Sequence, residues 1–444
     1  MLQIPLKLIQ PKTIQAPPTQ STPLVQSIHN RRLQTVPVIS NQSSTLSSTI
    51  SALEDYLNDI YGVLLAEYTD SNYLQVASKC DGSPLCFGMP WYLPFTTKDD
   101  KTTQWTIRDE ICVVVLNLST CYSMKANELI STIVSTVKSE EDNQWVTVFK
   151  YFKKALSFTN FLINQDRSLT VQSQIHSDIF ELSDHFTNIV SSSIKISIQS
   201  TFLLKSILTL SRYDYDIDDL ILKKSDSINF STMTRITVFI KTELQTLRAL
   251  FNQSVESNLS SRANRDYSTM LANFHNINEI YLGLFLSVEL YRKDEIGDSI
   301  AVLNHAIELI ASKNNNGKDD EDLEEESKLK AKLSKFKSKL KSQQPKKLRI
   351  NRSLLSPAQY SNPPTFIQAI LSQYQTIESL NYKLHLQNNS MAFQQISTDP
   401  QSVLEKCMPL GRSVPLADGN NNWIPSCVGS ASTAGVNDVK KQYY

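Results

Sequence analysis

The stretch TIRDEICVVVLNLSTCYSMKANEL, Thr106 to Leu129, decides the fold. It begins in a β-like manner and continues as a helix with few polar breaks. From Ile111 to Leu118 only Asn117 interrupts the apolar run. A helix that is apolar on every side leaves water nothing to solvate, so it belongs at the centre of a helical body.

Working outward, the neighbouring segments carry helical spacing. Leu46, Ile50, Leu53, Leu57, Ile60 and Leu64 step by four and three residues and form one stripe. Trp145, Phe149, Phe152, Leu156 and Phe158 mark an aromatic-rich helix. Further helices are expected over Ser177–Leu210, Thr232–Leu259 and Thr365–Gln395, the last opened by Asn362-Pro363-Pro364. Asn273–Tyr291 and Ile296–Ile310 read as an antiparallel pair joined by a polar turn at Arg292–Glu295. Between Pro94 and Pro345 there is no proline, and proline costs about 3 kcal/mol inside a helix. Glycine is sparse, which argues against β-sandwiches and phosphate-cradling loops. No fixed-period repeat is present, so a regular tetratricopeptide array is not supported. The expected fold is all-α, a curved solenoid-like arrangement of helices, with a short strand pair between the proline-rich start and Trp91–Phe95.

Bulk composition narrows the function. The chain of 444 residues carries 44 basic and 44 acidic side chains, so no global charge draws it to nucleic acid. The six cysteines include Cys80 and Cys86, too far apart for a zinc knuckle, and no second ligand pair follows. They read as buried thiols in a reducing compartment. The start MLQIPLKLIQPK is no signal peptide, and no apolar run approaches the roughly 18 residues that span a bilayer. A cytoplasmic protein is expected.

Catalytic patterns are missing. The histidines at 29, 176, 185, 275, 305 and 385 are isolated, and none sits in an HExxH pattern. Cys407 and Arg412 are four residues apart, where a tyrosine phosphatase loop uses five, with Met408 and Pro409 where that loop needs glycines. No catalytic residue, cofactor site or metal site is assigned. One segment stands apart: Lys318–Glu326 is acidic, and Lys328–Arg349 is densely basic with Leu329, Leu333, Phe336 and Leu340 at helical spacing. It reads either as a solvated helix matched to its own dipole or as an amphipathic helix that touches anionic lipid.

Taken in order, four stretches resemble the Bro domain, the boomerang-shaped helical domain of ESCRT-associated, ALIX-like adaptors. They are RDEICVVVLNLSTCYSMKA (Arg108–Ala126), WVTVFKYFKKALSFTNFLI (Trp145–Ile163), SIQSTFLLKSIL (Ser197–Leu208) and DSIAVLNHAIELI (Asp298–Ile310), the last after a turn carrying Gly297. In the tail, KCMPLGRSVP (Lys406–Pro415) resembles the Met-Pro-x-Gly-Arg sequence that follows the domain in fungal PalC-type regulators of ambient-pH signalling.

The resemblance implies a non-enzymatic scaffold that binds the C-terminal amphipathic helix of an ESCRT-III subunit. It also implies recruitment to endosomes or plasma-membrane ESCRT sites, and a link to a pH-sensing receptor complex whose signalling activates a transcription factor by proteolysis. Matched to the family's binding surface, Phe202 and Lys205 begin that surface, and Ile217 and Leu220 in YDYDIDDLIL continue it. By spacing alone, Phe202 is equally a core residue below Ile198. Pro409, Gly411 and Arg412 are assigned to docking or packing of the tail, which as a whole reads as irregular and removable from Lys406 onward without loss of folding. Two other readings remain: a general endosomal-sorting scaffold without a pH role, and a peripheral lipid-binding protein working through residues 328–349.

The organisation expected is a helical domain over 1–396, containing the polar and charged insertion 312–349, followed by an irregular tail over 397–444. Within it, Ser44 to Gln395 form one continuous body. Limited proteolysis is then expected to cut first within Ser312–Glu326 and after Asp399, where polar composition exposes the backbone. Early cleavage near Ser193 or Ile240 overturns the single body.

Overall fold

The computed structural model describes residues 9–12, 23–41, 44–67, 91–93, 95, 105–135, 142–167, 179–212, 229–255, 261–310, 374–415 and 423–426. The described chain is almost entirely helical: α1 (Pro23–Ser40), α2 (Leu46–Glu67), α3 (Ile107–Ser135), α4 (Asp142–Arg167), α5 (Asp184–Arg212), α6 (Phe230–Val255), α7 (Ser261–Tyr291), α8 (Ile296–Ile310), α9 (Tyr374–Gln387) and α10 (Pro400–Cys407). Strand β1 (Gln10–Pro11) pairs antiparallel with β2 (Trp91–Tyr92), Pro11 opposite Trp91, which is the strand pair expected near the N-terminus.

The chain divides into two compact units, and the division falls within α5, α6 and α7. The first comprises Met1–Phe202, Thr242–Leu271 and Ser413–Tyr444; the second comprises Leu203–Lys241 and Ala272–Arg412.

In the first unit α3 packs against α2 and α4, and its residues Val113 to Cys121 are all buried. The β-like start is a single bridge residue, Thr106, which also caps the helix. Thr106 and Asp109 form a capping box: the Asp109 N–H donates to Thr106 Oγ1 at 3.2 Å, and the Thr106 N–H donates to Asp109 Oδ2 at 2.8 Å. Similar local chemistry starts three other helices. Thr45 accepts from the Ser48 N–H, Ser183 from the Phe186 N–H, and Asn229 from the Thr232 N–H. Burial pushes the Cys121 thiol up to about 12, which keeps it a neutral core group.

Helix α1 was not anticipated, because prolines crowd the chain start. Pro37 lies inside α1 with its ring exposed, where the lost N–H is one bond near the helix end.

One buried charge ties this unit together. Glu110, on α3 and fully buried, accepts from the Arg32 guanidinium on α1 and from the Tyr56 hydroxyl on α2 at 2.9 Å. Its other oxygen accepts from the indoles of Trp91 at 2.7 Å and Trp105 at 2.9 Å. The guanidinium also lies over the Trp91 ring, 4.4 Å from its centroid. Burial first, then the adjacent Glu110 carboxylate, raises the Tyr56 hydroxyl well above its ordinary pKa and keeps it a donor.

A second cluster forms a separate aromatic core. Phe95 sits edge-on to Phe180, Phe186, Phe251 and Tyr267, its backbone N–H held by buried Glu181 at 2.6 Å.

In the second unit α7 and α8 form the expected antiparallel pair. The turn Arg292–Glu295 closes on the Leu290 carbonyl, with Asp294 at φ 62°, and the Ser299 hydroxyl bonds the Ser287 carbonyl across the pair at 2.7 Å. Gly297 has a packing reason. A Cβ there would run into the backbone carbonyl of Gln395, and the Gly297 N–H donates to the Gln394 side chain at 2.9 Å.

Helix α9 ends in a π-helical turn over Asn388–Ala392, closed by Phe393 at φ 50°. The helix expected from Thr365 is described only from Tyr374; its proline-rich opening lies outside the described residues.

The chain beyond Gln395 is not wholly irregular. Asp399 caps α10 by accepting from the Gln401 and Ser402 N–H groups, and Pro400 occupies the first turn. Val403 and Leu404 of α10 then enter a core with Val238, Leu282, Leu286, Leu290, Ala301 and Val302.

The Glu110 network predicts a specific energetic pattern. Glu110→Gln leaves the Arg32 charge buried without its counter-ion, and Arg32→Met leaves the carboxylate so; each is expected to cost about 3–5 kcal/mol. In the double variant both charges are gone, so the loss should fall well below the sum of the two. Additive losses in denaturant titrations would show that the pair does not couple.

Candidate functional site

The residues assigned to partner binding meet different fates. Phe202, on α5, is half-buried, and its ring stacks on Phe149 of α4 with centroids 4.3 Å apart and an interplanar angle of 26°. Phe202 is thus neither fully buried nor fully exposed. One turn before Phe149, Val146 is 52% exposed, so α4 presents an apolar edge beside the stack. Lys205 follows one turn beyond Phe202 on α5 and is half-buried. Ile217 and Leu220 lie outside the described residues, as does the basic segment 328–349.

Neighbouring positions on both helices are buried. Ile198, Thr201, Leu203 and Leu204 on α5 are fully or almost fully buried, as are Val148 and Phe152 on α4. The hydroxyls of Ser193, Ser197, Ser200 and Thr201 return to carbonyls one turn earlier, so this serine-rich helix buries no unpaired hydroxyl at those positions.

Of the tail residues, Gly411 and the Arg412 main chain lie against α6. In the second unit Met408 lies against the α10 core, and the Arg412 N–H donates to the Arg235 carbonyl on α6 at 3.0 Å. A Cβ on Gly411 would stand 2.8 Å from the Phe239 backbone nitrogen, so glycine is required by the close approach of two main chains. Pro409 is half-buried.

In the first unit Val414 is clamped at both backbone groups by the Gln199 amide, at 2.9 and 3.1 Å. Trp423 is 7% exposed in a slot formed by Tyr61, Phe158 and Phe161, with centroids 5.1–5.9 Å away. Its backbone N–H donates to the Ser157 carbonyl at 3.3 Å, and the Ser426 N–H donates to Asn58 at 2.9 Å. Removal of the chain from Lys406 onward, expected to spare folding, would take this buried tryptophan with it.

Among the described residues one group could place three ligand atoms together: Glu295, Asp298 and Cys407, within 4.8 Å of one another. The Cys407 thiol is raised, first by burial and then by Asp298 and Glu295, so at neutral pH it is a thiol and not a thiolate. No helix of the described residues is long and apolar enough to cross a membrane.

A family model described as a family of unknown function, DUF5355, matches residues 105–444. The chain belongs to that family. No curated protein matches it by sequence. Among solved structures, this DUF5355 chain is similar to one titled as the ALIX BRO1–CHMP4C complex, with a TM-score of 0.49 and 12% identity, over 92% of this chain and 94% of that one. It is also similar to one titled for endosomal targeting by the Bro1 domain, with a TM-score of 0.46 and 11% identity, over 86% and 83%.

Trp423 provides the direct test of the DUF5355 tail. Trp423→Ala is expected to cost about 3–5 kcal/mol, because it empties an aromatic slot that the surrounding helices cannot fill. A melting temperature within a degree or so of the parent protein would show that the tail only rests on the surface.

Proposed function

We propose that this chain is a non-enzymatic adaptor that binds the C-terminal amphipathic helix of an ESCRT-III subunit. The observation that carries the reading is the half-exposed Phe149–Phe202 stack. It contains Phe202, which the sequence resemblance to Bro domains assigns to partner binding. Helix-in-groove recognition needs apolar side chains presented on rigid helices, with charge at the rim, and no reacting group. Val146, Phe149 and Phe202 supply the apolar element, and Lys205 supplies a cation on the same helix as Phe202. In this proposal Ile217 and Leu220 extend the surface.

The link to alkaline-pH signalling rests on the Lys406–Pro415 resemblance. In that role the adaptor joins ESCRT machinery to a receptor complex, and its recruitment is to endosomes or plasma-membrane ESCRT sites. The chain itself is not the pH sensor in this reading, since its histidines are scattered and not clustered at one interface.

Pull-down with the C-terminal helix of an ESCRT-III subunit tests the proposal. Phe202→Asp is expected to weaken capture by about thirtyfold or more, the scale of a central interface residue. Its circular dichroism should be retained, with a modest fall in melting temperature because only part of the ring is buried. Ile217→Asp gives an independent reading. Full capture by both folded variants would sink the site. Salt-sensitive flotation of the partner-free protein with anionic liposomes would favour a lipid-binding protein instead.

A further inference from the structure

The second unit carries an apolar stripe outside its core. Tyr382 and Leu386 stand one turn apart on α9 and are 70% and 57% exposed; across the π-helical turn, Met391 and Phe393 are 76% and 77% exposed. The other side of α9 is already turned inward through Ile377, Leu380 and Leu384. A helix that is apolar on both sides is suited to being covered on both. Phe393 has a left-handed φ of 50°, which a bulky side chain rarely adopts, and the chain on either side of it is pinned. The Phe393 N–H donates to the Asn388 carbonyl at 2.8 Å. The buried Asn388 side chain accepts from the Gln394 N–H and donates to the Gln394 carbonyl, both at 2.9 Å. The ring therefore stands in solvent on a backbone that needs little further ordering to be covered.

The ground beside this stripe is acidic. The Gln394 side chain donates to the Asp294 carbonyl at 2.7 Å, so the α7–α8 turn abuts Phe393 directly. That turn and the start of α8 carry Asp294, Glu295 and Asp298, none of which has an ion pair among the described residues. The nearest lysine in sequence, Lys293, is paired with Glu289 at 3.4 Å. The Cys407 thiol nearby is raised by burial first, then by Asp298 and Glu295, ahead of the opposing pull of Lys406 and Lys293. Carboxylates thus dominate the local field, and a cover for the stripe has to be apolar on one side and cationic at its edge.

The chain itself contains a segment of that chemistry. From Lys328 to Arg349 it has no acidic residue, and Leu329, Leu333, Phe336 and Leu340 repeat over the same length as Tyr382 to Phe393. The segment lies outside the described residues, but both of its tethers end in the second unit, at Ile310 of α8 and Tyr374 of α9. The chain from 311 to 327 spans roughly 55 Å when extended, and α8 is about 22 Å long. The start of α8, where Gly297 meets Gln394, is therefore within its reach. Tethering of this kind sets an effective concentration of about a millimolar, which sustains a weak contact. We infer that the basic segment Lys328–Arg349 docks on the α9 stripe. Its apolar side chains cover Tyr382, Leu386, Met391 and Phe393, and its lysines meet Asp294, Glu295 and Asp298. An anionic bilayer is repelled by those carboxylates, and a second copy brings like charges together. The acidic run ending at Glu326 offers charge but only Leu323 as an apolar partner. The inference stands independently of the ESCRT-III reading and shares no residue with that surface.

Amide hydrogen exchange of the full chain, read by mass spectrometry across 328–349, tests the docking. In the parent protein these amides are expected to exchange at least about tenfold more slowly than in a synthetic peptide of the same sequence. Leu386→Asp/Phe393→Asp alters only exposed side chains, and aspartate tolerates the left-handed φ at 393. It should remove the protection while circular dichroism and melting temperature stay unchanged. Leu333→Asp/Phe336→Asp, within the segment, should remove it equally, and combining the two variants should add nothing. Phe202→Asp should leave the protection intact, which separates failure here from failure of the ESCRT-III site. Exchange in the parent at the rate of the free peptide overturns the proposal. So does protection that survives Leu386→Asp/Phe393→Asp, which would place the segment elsewhere, on its own acidic run for instance. Self-association, or binding to phosphatidylserine vesicles, that this variant abolishes without changing exchange over 328–349 overturns it in favour of a second copy or a membrane.

Discussion

The first unit depends on a buried carboxylate that is charged, fully enclosed and completely satisfied. Burying an ion without partners costs far more than one contact returns, so Glu110 is tolerable only while every donor around it stays in place. Those donors come from four separate parts of the chain: Arg32 on α1, Tyr56 on α2, Trp91 on β2 and Trp105 just before α3. Two oxygens and four donors leave little room for an alternative arrangement. An apolar core could pack these elements in several registers; a carboxylate with directional partners selects one. The short β1–β2 pair follows from this, because Trp91 must face inward while Tyr92 remains exposed.

Much of the helical body was legible because periodic apolar patterns report burial directly. The stripe from Leu46 to Leu64 and the run after Ile111 became α2 and α3, and the polar turn at Arg292–Glu295 closed where the sequence placed it. The failures have local causes. Thr106-x-x-Asp109 is a capping box that the β-like reading left unseen, although Thr106 itself does form a β-bridge. Helix α1 was hidden by the prolines around it, although Pro23 at its first position is where a helix accepts proline most readily. Asp399-Pro400 is likewise a helix start, obscured by the polar composition that follows.

The candidate surface was legible only to the depth that one helix allows. Spacing puts Phe202 above Ile198, but which flank of α5 is covered depends on α4, and no pattern within α5 reports on Phe149. Glu110 illustrates the same limit from the other side. A lone acid within an apolar run signals a buried charge, yet its four partners lie up to 78 residues away in sequence and share no motif. Trp423 could be recognised as a residue without reason to be exposed, but not the slot of Tyr61, Phe158 and Phe161 that receives it.

The tail shows how packing constrains what a motif can mean. In KCMPLGRSVP the glycine is explained by the nearness of the Phe239 main chain, and Met408 by the core under α10. The Arg412 main chain is held by Arg235. These roles account for Met408, Gly411 and the Arg412 backbone. What remains on the outside is Leu410, 92% exposed, and the exposed Arg412 side chain. The close approach that demands glycine at 411 also fixes the backbone that carries Leu410. Gly411 thus keeps the backbone close to α6, and packing alone accounts for the glycine of the pattern.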